Sequence, residues 1–218
     1  MTEPLPEKYR ALIIDDHPLF RRGVTQLLAL ENDFEVVGEA AGGQEGIELA
    51  KLHAPDLILL DLNMKGMDGL ETLRTLRDMG CEARIIMVTV SNAPEDLMAA
   101  IRAGADGYLL KDNDPEDILR MVSNVMQGQT AISPELTNLL ASALRGESVS
   151  ENRSHASLTE RENAILKCLA VGKSNKLIAR ELDIMESTVK VHIRNLLKKL
   201  KFRSRVEAAV WAVSNQLQ

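Results

Sequence analysis

The chain divides by pattern into an α/β unit of five strand–helix repeats and a smaller all-α unit of four helices, joined by a linker helix and a polar tether. Three observations predict this. Short apolar runs alternate with amphipathic stretches over residues 9–127, and short continuous apolar runs mark parallel strands covered on both faces. Residues 158–218 show helical periodicity and no convincing strand. Residues 146–157, GESVSENRSHAS, are polar and aperiodic, the composition of a flexible tether.

Strands are expected near 11–14, 35–39, 57–60, 85–88 and 108–110, with helices near 18–30, 44–53, 70–79, 95–103 and 115–127. Five such repeats predict a doubly wound sheet of flavodoxin-like strand order. Residues 133–145, SPELTNLLASALR, read as a linker helix with Ser133 as N-cap, Pro134 at the first helical position and Gly146 as stop. The next helix is capped at Thr159, reinforced by Glu162 three residues on, and stops at Gly172. A second spans about 175–182, followed by a turn at 183–186. Ser187 then caps a third helix with Val189, Ile193, Leu196, Leu197 and Leu200 as its apolar stripe. A fourth covers 204–214.

Four strand ends carry chemistry. ALIIDD ends at Asp16, DLILLD at Asp61, RIIMVT at Thr89 and GYLLK at Lys111. Ligands of an open α/β sheet gather at the carboxyl ends of its strands, so three acids, a hydroxyl and an ammonium are expected to converge. Asp15, Asp16 and Asp61 would repel one another, and a divalent cation resolves the conflict. Hard oxygen ligands beside a phosphoryl group suit Mg²⁺. Asp61, alone at its strand end, is the candidate nucleophile for an aspartyl phosphate. Lys111 and the Thr89 hydroxyl supply positive charge and a donor where phosphoryl charge develops. A haloacid-dehalogenase-type phosphatase would use similar parts, but it needs an acid two residues after the nucleophile, and Asn63 stands there.

The pattern DD, DLNM-x-G-MDG, T and K resembles the receiver domain of two-component response regulators over about residues 9–127. The resemblance implies Asp61 as phosphoacceptor for a sensor histidine kinase. It implies Asp15, Asp16 and Asp61, with the backbone carbonyl of Asn63, as Mg²⁺ ligands. Thr89 and Tyr108 are implied as the switch pair, Tyr108 following Thr89 inward, and Lys111 as the phosphoryl-binding lysine. The role implied is regulatory, not enzymatic, although such a domain catalyses its own phosphorylation and dephosphorylation. Lys65 and Asp112 stand where the family commonly has proline, and Lys65 is expected to alter the loop beside Asp61.

Charge separates the two units. Residues 1–127 carry 12 Lys/Arg against 23 Asp/Glu, a net −11, whereas residues 158–218 carry 12 against 6, a net +6. A basic C-terminal third suggests a nucleic-acid partner. On the third helix Lys190, Arg194 and Lys198 follow at four-residue spacing with Val191 beside them, and residues 186–205 hold seven basic residues and one acid. A merely solvated face would interleave both signs. Two helices, a tight turn and a basic second helix read as a helix-turn-helix. Ser174, Asn175 and Lys176 are candidates for phosphate contact through side chains and helix-end amides, and Lys199 and Lys201 for further phosphates. A regulator whose third helix binds protein instead of DNA is the other reading, distinguished by the salt dependence of DNA binding.

TERE, SNKLIARELDI, ESTVKVHIRNLLKKL and SRVEAAV resemble the LuxR-type helix-turn-helix of the NarL/FixJ subfamily. The likeness implies Lys190, Val191 and Arg194 at base edges of double-stranded DNA, with Lys198 and Thr188 in the same interface. Val206, Ala209, Val210 and Val213 are expected to pair two copies, on activation, over an inverted repeat. The unphosphorylated receiver is expected to cover the recognition helix. RNA polymerase is a candidate further partner. DDHP, LDLNMKGM and GADGYLLKD are similar to nitrate/nitrite-responsive members of the subfamily, which implies control of anaerobic-respiration genes.

Other features point away from separate functions. Cys81 and Cys168 lack metal or disulfide spacing. No apolar run approaches a membrane span and residues 1–9 lack a leader's apolar core, so a cytoplasmic protein without membrane contact is expected. Gly172-Lys173-Ser174 imitates a phosphate loop, but position 167 is Lys where such a loop needs glycine. His17 is read as shaping its loop, Met64 and Met67 as loop packing, and Trp211 as core or interface. The expected boundaries are 9–127 for the receiver, 128–157 for linker helix and tether, and 158–218 for the DNA-binding unit.

Overall fold

The computed structural model describes residues 8–129 and 158–214. The linker helix expected over 133–145 and the tether over 146–157 lie outside the described residues. Five strands, β1 (Tyr9–Ile14), β2 (Phe34–Ala40), β3 (Leu57–Asp61), β4 (Arg84–Thr89) and β5 (Gly107–Leu110), alternate with α1 (Pro18–Ala29), α2 (Gly43–His53), α3 (Gly69–Asp78), α4 (Pro94–Ala103) and α5 (Pro115–Met126). All pairings are parallel, in the order β2-β1-β3-β4-β5. This is the predicted flavodoxin-like order.

Strand alternation builds two cores. Leu12, Ile14, Ile58, Leu60, Ile85 and Met87 face Ile47, Leu73, Leu76, Leu97 and Ile101 of α2, α3 and α4. The intervening residues, Ala11, Ile13, Leu57, Leu59, Ile86 and Val88, face Val24, Leu28, Ile118 and Val122 of α1 and α5. Each fully buried Leu or Ile contributes about 1.5–3 kcal/mol. With both faces covered, the apolar runs lack a polar alternation.

Register places the functional end. Ile14 pairs with Leu60, Asp61 with Val88, and Thr89 with Leu110. The next residues, Asp15, Asp61, Thr89 and Lys111, therefore meet at one edge. Gly69 lets α3 approach this edge: a Cβ there would stand 2.1 Å from the carbonyl oxygen of Asp61. Helix starts follow local chemistry. Prolines occupy the first turns of α1, α4 and α5, and Asp68 caps α3 by accepting from the Glu71 amide at 2.8 Å.

The opposite edge is held by Asp106. Its carboxylate accepts from Arg77 at 2.6 Å, from Arg84 at 2.9 Å and from the Ile85 amide at 3.1 Å. Burial opposes its ionisation, yet Arg77 and Arg84 outweigh that and hold the carboxyl below its ordinary value. A depressed value in the fold means stability that is present above the unfolded pKa of about 3.9 and is lost as pH falls through the lower folded value. Asp106→Asn should cost on the order of 3 kcal/mol, because it strands buried guanidinium charge. Urea midpoints should drop at pH 7, and the wild-type decline below about pH 4 should be shallower in the variant.

Four helices follow, α6 (Glu160–Ala170), α7 (Asn175–Glu181), α8 (Glu186–Leu200) and α9 (Arg205–Ser214). They close over Ile165, Leu169, Ile178, Val189, Ile193 and Leu196. Thr159 and Glu162 form the expected capping box. The expected cap of α8 shifts: Met185 holds the cap position without a side-chain bond, and Ser187 lies inside the first turn. Asp183, with φ of 51°, reverses the chain early enough for the helix to begin one residue before Ser187. Gly172 and Ser174 are a helix stop and a cap, not a phosphate loop. Among the described residues no helix is long and apolar enough to cross a membrane.

The two units touch at the strand-start edge, away from Asp61. Val206 of α9 is 1% exposed and belongs to the same apolar cluster as Leu97 and Ile101 of α4, and Val210 packs against that cluster. Arg203 donates to Asp78 at 3.0 Å and Arg194 to Glu82 at 3.1 Å. Gly104 leaves room for Arg203, since a Cβ there would stand 2.8 Å from the arginine Cβ.

Candidate functional site

Asp61 is 1% exposed at the end of β3, and Asp15 is equally buried at the end of β1. Lys111, delivered by β5, sets its ammonium 2.8 Å from Asp15 Oδ2 and 2.9 Å from Asp61 Oδ2, over the face of Phe20 at 4.9 Å. Burial holds the Asp61 carboxyl above its ordinary value; Lys111 works against that and Asp15 adds to it. One ammonium does not balance three carboxylates. Asp15 Oδ2, Asp16 Oδ1 and Asp61 Oδ2 are shut from solvent; the first and last face the Lys111 ammonium, and Asp16 Oδ1 faces His17 Nδ1 at 2.9 Å. Together with His17 these residues offer ligand atoms within 4.8 Å of one another. Buried hard oxygens with more negative charge than one ammonium balances fit a divalent cation. Beside them is a pocket of about 280 Å³ lined by His17, Phe20, Asn63, Val90 and Lys111.

Thr89 is fully buried, and its hydroxyl accepts from the Ser91 amide at 3.0 Å and from Asn63 Nδ2 at 3.4 Å. Tyr108 differs from the expectation that it moves inward after Thr89. Its ring is already buried, and its hydroxyl donates to the Ser91 carbonyl at 3.1 Å. Burial, with Asp96 nearby, pushes its pKa up to about 12. An apolar slot and one carbonyl acceptor suffice to keep the ring in place. Ser91 was not legible as a member of this site. Its hydroxyl donates to Asp96 at 2.6 Å and its backbone serves both Thr89 and Tyr108, so it ties the switch residues to the start of α4. A hydroxyl two residues beyond the Thr89 strand end was the only available signal. Met64 and Met67 pack against the core as loop residues.

On the basic unit, Lys190, Val191, Arg194 and Lys198 project from α8 and are exposed, while Thr188 is half-buried. The expected phosphate contacts divide. Lys176 and Lys201 are exposed, but Ser174 is buried as the cap of α7, accepting from the Leu177 amide at 3.3 Å. Asn175 is 3% exposed and accepts from Arg205 at 3.0 Å. Lys199 is drawn to the buried Glu162 at 2.7 Å. The side chains of Ser174 and Asn175 are committed to the fold, the first as the helix cap and the second as the partner of the buried Arg205.

Arg205 was missed altogether. It is buried, donates also to the Lys173 carbonyl at 2.9 Å, and its pKa is pushed down to about 10 by burial and by the charge of Arg84, with Asp106 opposing. The face expected to pair two copies is not free here. Val206 and Val210 pack on the apolar cluster of the α/β unit, Ala209 packs into its own unit, and of these four Val213 is exposed. The covering of the recognition helix also differs from expectation. The α/β unit grips α9, whereas α8 meets it, among the described residues, through the pair Arg194–Glu82, and Arg194 keeps 71% of its side chain exposed. An apolar face is the stronger docking surface because removing a charged helix from water costs more than it returns.

Two family models match the chain: the response regulator receiver domain over residues 11–123, and the bacterial regulatory proteins of the luxR family over residues 156–212. The chain is 54% identical over 200 residues to the nitrate/nitrite response regulator protein NarL of Escherichia coli (strain K12), covering 92% of this chain and 93% of that one. It is 51% identical over 210 residues to the nitrate/nitrite response regulator protein NarP of the same organism, covering 96% of each. A solved structure of the response regulator ChrA, of a heme-sensing two-component system, matches with a TM-score of 0.52 at 31% identity, covering 97% of this chain and 99% of that one. With both units matched, and more than half of the aligned residues shared with these two relatives, the chain belongs to the two-component response regulators: it is a phosphorylation-dependent transcriptional regulator with a receiver domain and a luxR-family DNA-binding domain.

Proposed function

We propose that a sensor histidine kinase phosphorylates this regulator on Asp61, and that the phosphate frees α9 and α8 for dimeric DNA binding. The observation that carries this reading is the strand register that brings Asp15, Asp61, Thr89 and Lys111 to one edge. An Asp61 oxygen attacks phosphorus, the P–N bond of the kinase phosphohistidine breaks, and the departing imidazole nitrogen takes up a proton. Lys111 pairs with a transferred oxygen, and the Thr89 hydroxyl turns from the Ser91 amide to donate to another. Mg²⁺, held by Asp15, Asp16, Asp61 and the Asn63 carbonyl, would neutralise phosphoryl charge when bound.

Helix α4 links the two edges. Its start is tied through Asp96 to Ser91, and its cluster receives Val206. Movement of Thr89 therefore loosens the seat of α9. The released face of Val206, Ala209, Val210 and Val213 pairs two copies on an inverted repeat, and RNA polymerase is the further contact. Lys190, Val191 and Arg194 read base edges, while Thr188, Lys176 and Lys198 hold phosphates. The working boundaries are 9–127, 128–157 and 158–218, and the protein acts in the cytoplasm. The relatives' names support control of nitrate/nitrite-responsive genes.

Binding of the full chain to an inverted-repeat promoter site, with and without a small phosphodonor and Mg²⁺, tests the reading; equal affinity in both states overturns it. Lys190→Ala and Arg194→Ala should each lose about 1–3 kcal/mol on the specific site and little on random DNA. Lys201→Ala should weaken both alike, with a shallower salt dependence. Equal losses on both DNAs for the α8 variants would remove base reading from that helix.

A further inference from the structure

One exposed side chain of α8 has no task in the fold. Asn195, the tenth residue of this 15-residue helix, is exposed, and among the described residues its amide has no hydrogen-bond partner. It lies too far from either helix end to act as a cap. Asparagine is a poorer helix former than alanine, and no hydrogen bond within the described residues offsets that. Lys199, one turn on, is held instead by the buried Glu162 at 2.7 Å.

Helical geometry places this amide on the outward face. At about 100° per residue, the buried line Val189, Ile193, Leu196 and Leu200 is centred opposite a meridian through Val191 and Lys198. Arg194 lies about 50° to one side of that meridian and Asn195 about 50° to the other, only about 1.5 Å apart along the axis. Asparagine is short, so its flank must come close to the bases to reach them. Val191 lies on that flank one turn earlier and is apolar yet 55% exposed. A valine meets a thymine methyl only where the helix backbone comes close to the base edges. Cβ atoms four residues apart on a helix stand about 5–6 Å from each other, which spans one or two base pairs at about 3.4 Å per step.

We propose that Asn195 is a specificity-determining residue that reads an adenine in the major groove, its amide oxygen accepting from the adenine N6 amine and its amide nitrogen donating to N7. The proposal rests on α8 being the helix that reads base edges. Each half-site then carries an adenine within about two base pairs of the thymine under Val191.

The test is selection of duplexes from a randomised library by the full-length protein, phosphorylated with a small phosphodonor and Mg²⁺, with the bound sequences read for wild type and variants. Asn195→Ala should lose the preference for one adenine by roughly tenfold and keep the preferences that depend on Arg194. Its melting temperature should hold or rise, since alanine is the better helix former at an exposed position. Asn195→Asp, which can only accept, should exchange that adenine for cytosine. Replacing the adenine by 7-deazaadenine, which lacks N7, should weaken the wild type about fivefold and Asn195→Ala by less than about twofold. An unchanged selection by Asn195→Ala, an equal loss on selected and random DNA, or an equal 7-deazaadenine penalty in both proteins overturns the proposal. Arg194→Ala separates the two readings. If it alters base preference and Asn195→Ala does not, α8 reads bases without Asn195; if neither variant alters it, base reading by α8 fails as well.

Discussion

Asp61→Asn should leave the protein unable to take up phosphate. The wild type, incubated with a small phosphodonor and Mg²⁺, should gain one acid-stable, base-labile phosphate per chain by mass spectrometry, and the variant none. The effect is all-or-none because an amide oxygen lacks the anionic lone pair that attacks phosphorus. The fold should survive. Asn has nearly the shape of Asp, and the change removes one of three crowded carboxyls whose ionisation burial and Asp15 already oppose, so the melting temperature should hold or rise. A chelator should stop labelling of the wild type, since the acids repel an incoming dianion unless a cation shields them. Label retained in Asp61→Asn, on His17 for instance, would move the phosphoacceptor elsewhere.

Val206→Asp should release the DNA-binding domain without phosphate. Val206 is buried in the cluster shared with α4, and a carboxylate in that seat costs upward of about 3 kcal/mol. Each 1.4 kcal/mol is about tenfold in an equilibrium, so docking should weaken by two orders of magnitude or more. The flanking pairs Arg203–Asp78 and Arg194–Glu82 are largely exposed, and such pairs contribute about 0–1 kcal/mol each. They cannot hold the interface alone. Small-angle scattering of the unphosphorylated variant should show a larger radius of gyration. Because Val206 also lies on the proposed dimer face, DNA binding should be followed on a single half-site, where affinity should approach that of the phosphorylated wild type. Glu82→Lys should act in the same direction with a smaller effect. An unchanged scattering profile would mean that α9 does not hold the domains together.

Much of this was readable in the chain. ALIID, DLILLD, RIIMVT and GYLLK each end an apolar run in a polar residue, and in a parallel sheet covered on both faces such ends must point to one edge. The capping box at Thr159 and Glu162 was local and therefore legible. The cap of α8 was not, since Ser187 competes with a backbone turn set by Asp183, and a helix boundary is settled within one or two residues by such small differences. Ser174 and Asn175 read as surface polar residues because their partner, Arg205, lies 30 residues on. Lys199 read as a phosphate contact because its partner, Glu162, lies 37 residues back.

Sequence by itself determined the order of strands and helices, the identity of Asp15, Asp16, Asp61, Thr89 and Lys111, and the basic stripe of α8. Each depends on periodicity or on interactions within a few residues. Tertiary structure alone decided that Tyr108 already lies inward on Ser91, that His17 turns over the acids, and that the receiver holds α9 by an apolar seat and leaves most of α8 exposed. These depend on groups far apart in the chain, where burial and charge pairing are set by which surfaces meet and not by the residues that precede or follow.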